Sequence, residues 1–179
     1  PHHLGLEVGS KPELLVGLAT LDTPGALVIC NGYKDRAYME LALLAQRLGR
    51  YVVIVLDRPN ELDTLIKVSR ELGIRPHIGV RARLASKGAG KWAESSGDRS
   101  KFGLSAEELM NVVNRLRHDD MLDCLEMLHF HSGSQVTAIR AIGDRYRSTT
   151  MGVLRVSFLS SLALELLAEH QRLLRPVFV

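Results

Sequence analysis

The chain has 179 residues, which as a prior means one domain, and 46% apolar residues are enough for a sizeable core. A net charge of +3 and only 5% aromatic residues argue against a nucleic-acid surface of basic blocks interleaved with aromatics. No apolar run has membrane-spanning length, no stretch reads as a signal peptide, and no His/Cys pair has metal-site spacing. Cys30 and Cys124 each fall in a predicted strand and read as reduced core thiols of a cytosolic protein. The first residues, from Pro1, already read as the middle of a folded unit, so a fragment is expected.

Residues 4–8 form a short predicted strand. Ser10-Lys11-Pro12-Glu13 then reads as a capping box opening a helix to about Leu21, with Glu13 reaching back to the N-cap. Residues 26–30 are a fully apolar strand, and residues 31–35 lead into a helix. On that helix Tyr38, Leu41, Ala42, Ala45 and Leu48 share a face, and Gly49 is its stop. Residues 51–56 are the next strand, and residues 57–60 cap a helix. Its face is Leu62, Leu65, Ile66, Ser69 and Leu72, and Gly73 ends it. A strand follows over 78–83.

The rhythm then breaks across residues 84–101, a stretch rich in Gly, Ser and Lys with no period. Ser105-Ala106-Glu107-Glu108 is a second capping box, for a helix to about His118, and residues 123–131 are another strand. Apolar strands alternating with helices imply parallel, right-handed connections. With no glycine-rich first turn, they favour a (β/α)8 barrel over a doubly wound sheet. A barrel needs eight units over roughly 250 residues. The expectation is therefore an α/β fold, a partial (β/α)8 TIM-type barrel of about five units over residues 1–142. A divergent, mainly helical tail is expected over 143–179; Met151 to Leu174 is apolar with helical propensity.

Barrel active sites lie at the C-terminal ends of the strands. Glu7 sits near such an end and either faces the mouth or forms a structural ion pair. Glu13 already has a capping role. Lys34 follows a strand and either points into the mouth or caps a helix. Arg81 and Arg83 face alike, and with Arg99 and Lys101 they suit an anion, while Lys87 and Lys91 read as solvated. Gly88-Ala89-Gly90 is not a phosphate loop, because no Lys-Ser/Thr ending follows. His131 is the main candidate: an imidazole at a strand end can stack on a flat cofactor or donate a hydrogen bond. Ser134 and the N–H groups around Gly133 suit a phosphate or an oxyanion. His129 lies deeper, in the core or behind the site.

Six stretches, in order from Gly5 to Arg140, carry a resemblance. They are Gly5-Leu6-Glu7-Val8-Gly9-Ser10-Lys11, Ile29-Cys30-Asn31-Gly32-Tyr33-Lys34-Asp35-Arg36, residues 41–49, Val80-Arg81-Ala82-Arg83-Leu84-Ala85-Ser86-Lys87, Gly97-Asp98-Arg99-Ser100-Lys101-Phe102-Gly103-Leu104 and Leu128-His129-Phe130-His131-Ser132-Gly133-Ser134-Gln135. Together they resemble the biosynthetic arginine decarboxylase family, in the alanine-racemase-like class of pyridoxal-phosphate enzymes. The fourth and fifth stretches point to the arginine branch over the ornithine and diaminopimelate branches.

The resemblance implies that His131 stacks on the pyridine ring, that Ser134 lies by the phosphate and ring, and that Glu7 is an acidic residue near the cofactor. Glu13 matches a nearby acidic residue, and Arg99 an arginine near the phenolic oxygen. It implies pyridoxal phosphate as cofactor, Mg2+ as a further family-level expectation, L-arginine as substrate and agmatine, a polyamine precursor, as product. A homo-oligomer in the cytoplasm, with no nucleic-acid or membrane partner, completes the expectation. The lysine that carries the cofactor is expected upstream of Pro1, so no catalytic residue is assigned in this chain. The glycine-rich phosphate turn expected after Gln135 has no counterpart beyond Met151-Gly152. The acidic partner of the pyridine nitrogen and a C-terminal β-domain also fall outside the match.

The chain alone is therefore expected to be inactive. Two alternatives stand beside this reading. One is a non-catalytic fragment that self-associates through open barrel edges. The other is a different barrel enzyme that takes phosphorylated ligands on the arginine cluster.

Overall fold

The structure is a computed structural model that describes residues 5–83, 102–129 and 157–158. Its described strands are β1 (Leu6–Val8), β2 (Leu27–Cys30), β3 (Tyr51–Leu56), β4 (His77–Arg81), β5 (Leu125–His129) and β6 (Ser157–Phe158). Its helices are α1 (Lys11–Thr20), α2 (Arg36–Arg47), α3 (Asn60–Leu72) and α4 (Ala106–His118). The strands lie side by side in chain order, and β1 to β5 are parallel throughout. The order never reverses, as it would at the switch point of a doubly wound sheet. This is the winding of a barrel wall, so the expected α/β partial barrel of five units is present.

β6 is antiparallel to β5, with Leu128 opposite Ser157. It falls inside the segment expected to be helical, whose remainder lies outside the described residues. Residues 84–101, the long loop, lie outside them too, but the chain returns to the sheet through a parallel bridge between Ala82 and Leu104.

The two faces of the sheet differ. Val8, Val28, Cys30, Val52, Ile54, Leu56, Ile78, Val80 and Leu125 pack against the helices in the main core. The other face carries a smaller cluster of Val53, Val55 and Met127, with Leu27, Ile29 and Tyr51 against it. Period-two alternation produces this division. Register then places Glu7, opposite Ile29, on the second face, which is the barrel interior. One irregularity matters: Ile78 pairs with Leu125, but Gly79 pairs with Met127, so Glu126 is an extra residue in a bulge. After the bulge, Leu128 packs toward the helices, and His129, paired with Arg81, shares the interior face.

Capping follows the sequence closely at α4 and more loosely elsewhere. Ser105 and Glu108 form the full reciprocal box, at 3.2 and 2.7 Å. At α1, Ser10 accepts from Glu13 N–H at 3.4 Å, but Glu13 reaches past the N-cap to accept from Gly9 N–H at 2.8 Å. Gly73 closes α3 in the left-handed region, as expected. The expected cap of α3 is absent: Pro59 holds the N-cap position without a side-chain bond, and Asp57 is used elsewhere. Leu48, placed on the buried face by spacing, is the C-cap of α2 and is 82% exposed, because the helix ends before that face turns inward.

Four surface carboxylates titrate below their ordinary values of 4.5 for Glu and 3.8 for Asp. The causes are the Gly9 N–H for Glu13, the Tyr38 N–H for Asp35, Arg36 for Glu71 and Arg115 for Asp119. A depressed carboxylate adds stability that is complete above its unfolded value and is lost as pH falls toward the folded one. The urea midpoint should therefore drop between about pH 6 and about pH 3, and high salt should shrink the parts due to Glu71 and Asp119.

Candidate functional site

The C-terminal ends of consecutive strands bring a row of polar residues to one rim. Glu7 lies on β1, Asn31 directly follows β2, Asp57 directly follows β3, and Arg81 and His129 end β4 and β5. Apolar strands dictate the geometry: each stops where a residue that needs partners begins, and the parallel ladder sets those residues side by side. Asn31 Nδ2 donates to Glu7 Oε1 at 2.8 Å. Arg81 Nη1 donates to Asp57 Oδ1 at 3.0 Å, and the Arg81 guanidinium also lies over the Phe102 ring, 5.3 Å from its centroid.

Behind this rim lies a buried ion pair. The Lys34 and Glu61 side chains are 0% and 2% exposed, with Nζ 3.2 Å from Oε2. Glu61 Oε1 also accepts Lys34 N–H at 3.0 Å, and Oε2 accepts Asp57 N–H at 2.8 Å. Lys34 Nζ further donates to Gly32 O. Burial pulls the Lys34 ammonium below its ordinary value, and the Glu61 charge opposes that shift. Lys34 thus neither points into the mouth nor caps a helix; it locks two loops from behind.

Glu7 stands on the interior face, and it is bonded to an amide rather than to an arginine. Arg81 and Arg83 are both engaged, Arg81 with Asp57 and Arg83 with Gly103 O at 2.9 Å and Glu108 at 3.9 Å. That leaves the described half of the arginine cluster committed to protein partners. Burial pushes the Cys30 thiol up to about 11, so it is no nucleophile near neutral pH. His131, Ser134, Arg99 and Lys101 lie outside the described residues. Sequence reasoning missed Asn31, Asp57 and Glu61 as site residues. A polar residue standing immediately after an apolar strand was the available signal for the first two.

Among the described residues, no group of three or more His, Cys, Asp or Glu lies close enough to hold a metal ion, so the Mg2+ expectation gains no support. No helix among them is long and apolar enough to cross a membrane.

Residues 2–163 match the family described as pyridoxal-dependent decarboxylase, pyridoxal binding domain. The chain belongs to this family. The match continues past residue 142, where the sequence alone divides the chain. Biosynthetic arginine decarboxylase of Nostoc sp. is 56% identical over 144 residues, covering 80% of this chain and 21% of that protein. The protein of the same name from Gloeobacter violaceus is 57% identical over 150 residues, covering 84% and 23%. The chain therefore spans about a fifth of the length of these relatives. Among solved structures, biosynthetic arginine decarboxylase of Campylobacter jejuni superposes with a TM-score of 0.69 at 33% identity, covering 82% of this chain and 23% of that one. Diaminopimelate decarboxylase of Helicobacter pylori shares the fold, with a TM-score of 0.66 at 20% identity, covering 80% and 36%.

Removing one partner of a buried ion pair leaves the other charge uncompensated. Lys34→Met should cost about 3–5 kcal/mol of stability by urea denaturation. Lys11→Met, at the exposed pair with Asp35, should leave the urea midpoint nearly unchanged.

Proposed function

We propose that this chain forms the cofactor-facing part of the barrel in an enzyme that decarboxylates L-arginine to agmatine. The observation that carries the reading is the naming of relatives more than half identical along four-fifths of the chain as biosynthetic arginine decarboxylases. The diaminopimelate enzymes, at 20% identity, support only the fold.

The rim suits a polar, charged cofactor in one specific respect. Glu7 is exposed on the barrel interior, and Asn31 beside it keeps a buried Oδ1 with no hydrogen-bond partner among the described residues. An apolar cavity would need neither. In this reading Glu7, His131, Ser134 and Arg99 hold pyridoxal phosphate. When bound, the cofactor supplies a ring that accepts the electrons left when CO2 departs. The chain's own part is to orient and to seal. Asn31 fixes one oxygen of Glu7, leaving the other for the ligand. Asp57 holds Arg81 at the end of β4, so neither charge enters the interior unpaired. The Lys34–Glu61 pair keeps the loops after β2 and β3 at fixed height. In this reading the whole enzyme is a cytoplasmic homo-oligomer.

A second reading has one observation in its favour. Among the described residues β1 pairs only with β2, and an open strand edge favours association with another chain. A non-catalytic fragment would then assemble with itself, and a clean monomer in size-exclusion chromatography would count against that.

The 179-residue chain supplied with pyridoxal phosphate and L-arginine should release no agmatine in sustained turnover. Residues 5–140 placed in the Nostoc decarboxylase, in exchange for its matching segment, should preserve agmatine release and leave L-ornithine untouched. A chimera that folds and binds the cofactor but does not decarboxylate arginine would overturn the assignment.

A further inference from the structure

We propose that Asn31 is a positioning residue, which holds the Glu7 carboxylate in one orientation toward the cofactor. The inference rests on the reading of Glu7 as cofactor-facing and deepens it by naming what sets that side chain.

The backbone of Asn31 is fixed on every side. Its N–H donates to Val8 O at 2.8 Å and extends the β1–β2 ladder by one step. The Tyr38 hydroxyl donates to the same Val8 carbonyl at 3.1 Å. Gly32, next along, has φ +73, and a Cβ there would lie 2.3 Å from Gly9 O, so the loops after β1 and β2 are pressed together. Lys34, two residues on, is locked against Glu61. An amide anchored this way is a fixed donor. Glu7, by contrast, is an exposed side chain with several rotatable bonds, which on its own would wander.

The orientation of the amide follows from chemistry. A carboxylate only accepts, so the end of Asn31 that faces Glu7 is the NH2. The opposite end, Oδ1, is then buried with no donor among the described residues, in a residue only 7% exposed. A buried acceptor left unpaired lowers stability. An asparagine kept for the fold alone would have both ends satisfied. Among the described residues this one satisfies only the end that touches Glu7, which is the pattern of a residue kept for what it does to its neighbour.

Two measurements test this. In the 179-residue chain, the side-chain amide resonances of Asn31 should shift on Glu7→Ala, and Asn31→Ala should leave the melting temperature unchanged or raise it. Resonances that do not move, or a melting temperature that falls by several degrees, would make Asn31 a structural residue and overturn the proposal.

In the Nostoc chimera, Asn31→Ala should weaken pyridoxal phosphate binding, measured by equilibrium dialysis, by about tenfold, and should lower kcat more than it raises KM. Asn31→Asp, which sets a second carboxylate against Glu7, should be worse than Asn31→Ala. In a Glu7→Ala background, Asn31→Ala should add less than about twofold, because its effect passes through Glu7. Independent, multiplying effects would refute the coupling. A parent chimera that neither binds the cofactor nor decarboxylates arginine would sink the functional reading instead, and the resonance and melting measurements would still decide the Asn31–Glu7 contact.

Discussion

The carboxylate of Glu61 is the constraint on which the rim depends. Its two oxygens accept the N–H of Lys34 and the N–H of Asp57, and Lys34 Nζ closes on it from the third side. Those N–H groups belong to the loops that leave β2 and β3. One buried side chain on α3 therefore sets where both loops begin. Burying two charges costs several kcal/mol per ion, and the contacts with each other and with backbone dipoles offset it. Spatial precision is the return. Asn31 and Asp57, which face the candidate site, stand within three or four residues of that clamp.

From the clamp the polar pairs run outward along the rim. Asn31 meets Glu7 on one side, Asp57 meets Arg81 on the other, and Arg81 reaches the Phe102 ring on the far side of residues 84–101. Four strand ends are thus tied by side chains as well as by the ladder. A half-open wall needs such ties, because a parallel sheet normally depends on cover over both faces. Among the described residues the inner face is covered only in part, and Glu7 remains open on it.

Much of the fold was legible because its signals are local. The apolar run 51–56 is β3 at its full length, Ser105 and Glu108 cap α4 as their spacing requires, and Gly73 stops α3. What could not be read depends on partners distant in sequence. Asp57 looks like a cap, but Arg81 takes it. Lys34 looks like a mouth residue, but Glu61 buries it. Leu48 continues a buried face that its helix does not live to turn. Of the residues the resemblance assigns to the cofactor, Glu7 is the one among the described residues, and its placement on the interior follows from strand parity alone. Its amide partner was hidden in plain view at the end of the next strand.

The bulge at Glu126 makes parity conditional on β5. Glu126 and Met127 both lean inward: Glu126 meets Tyr51 and His77 at 2.6 Å each, and Met127 joins Val53 and Val55. The strand therefore carries a half-period phase slip. Leu128 and His129 inherit the shift, and His129 faces the interior only for that reason. The residue count within β5 is thus a hidden coordinate of the site. Deleting one residue at the bulge would exchange the faces of Leu128 and His129 without altering either residue.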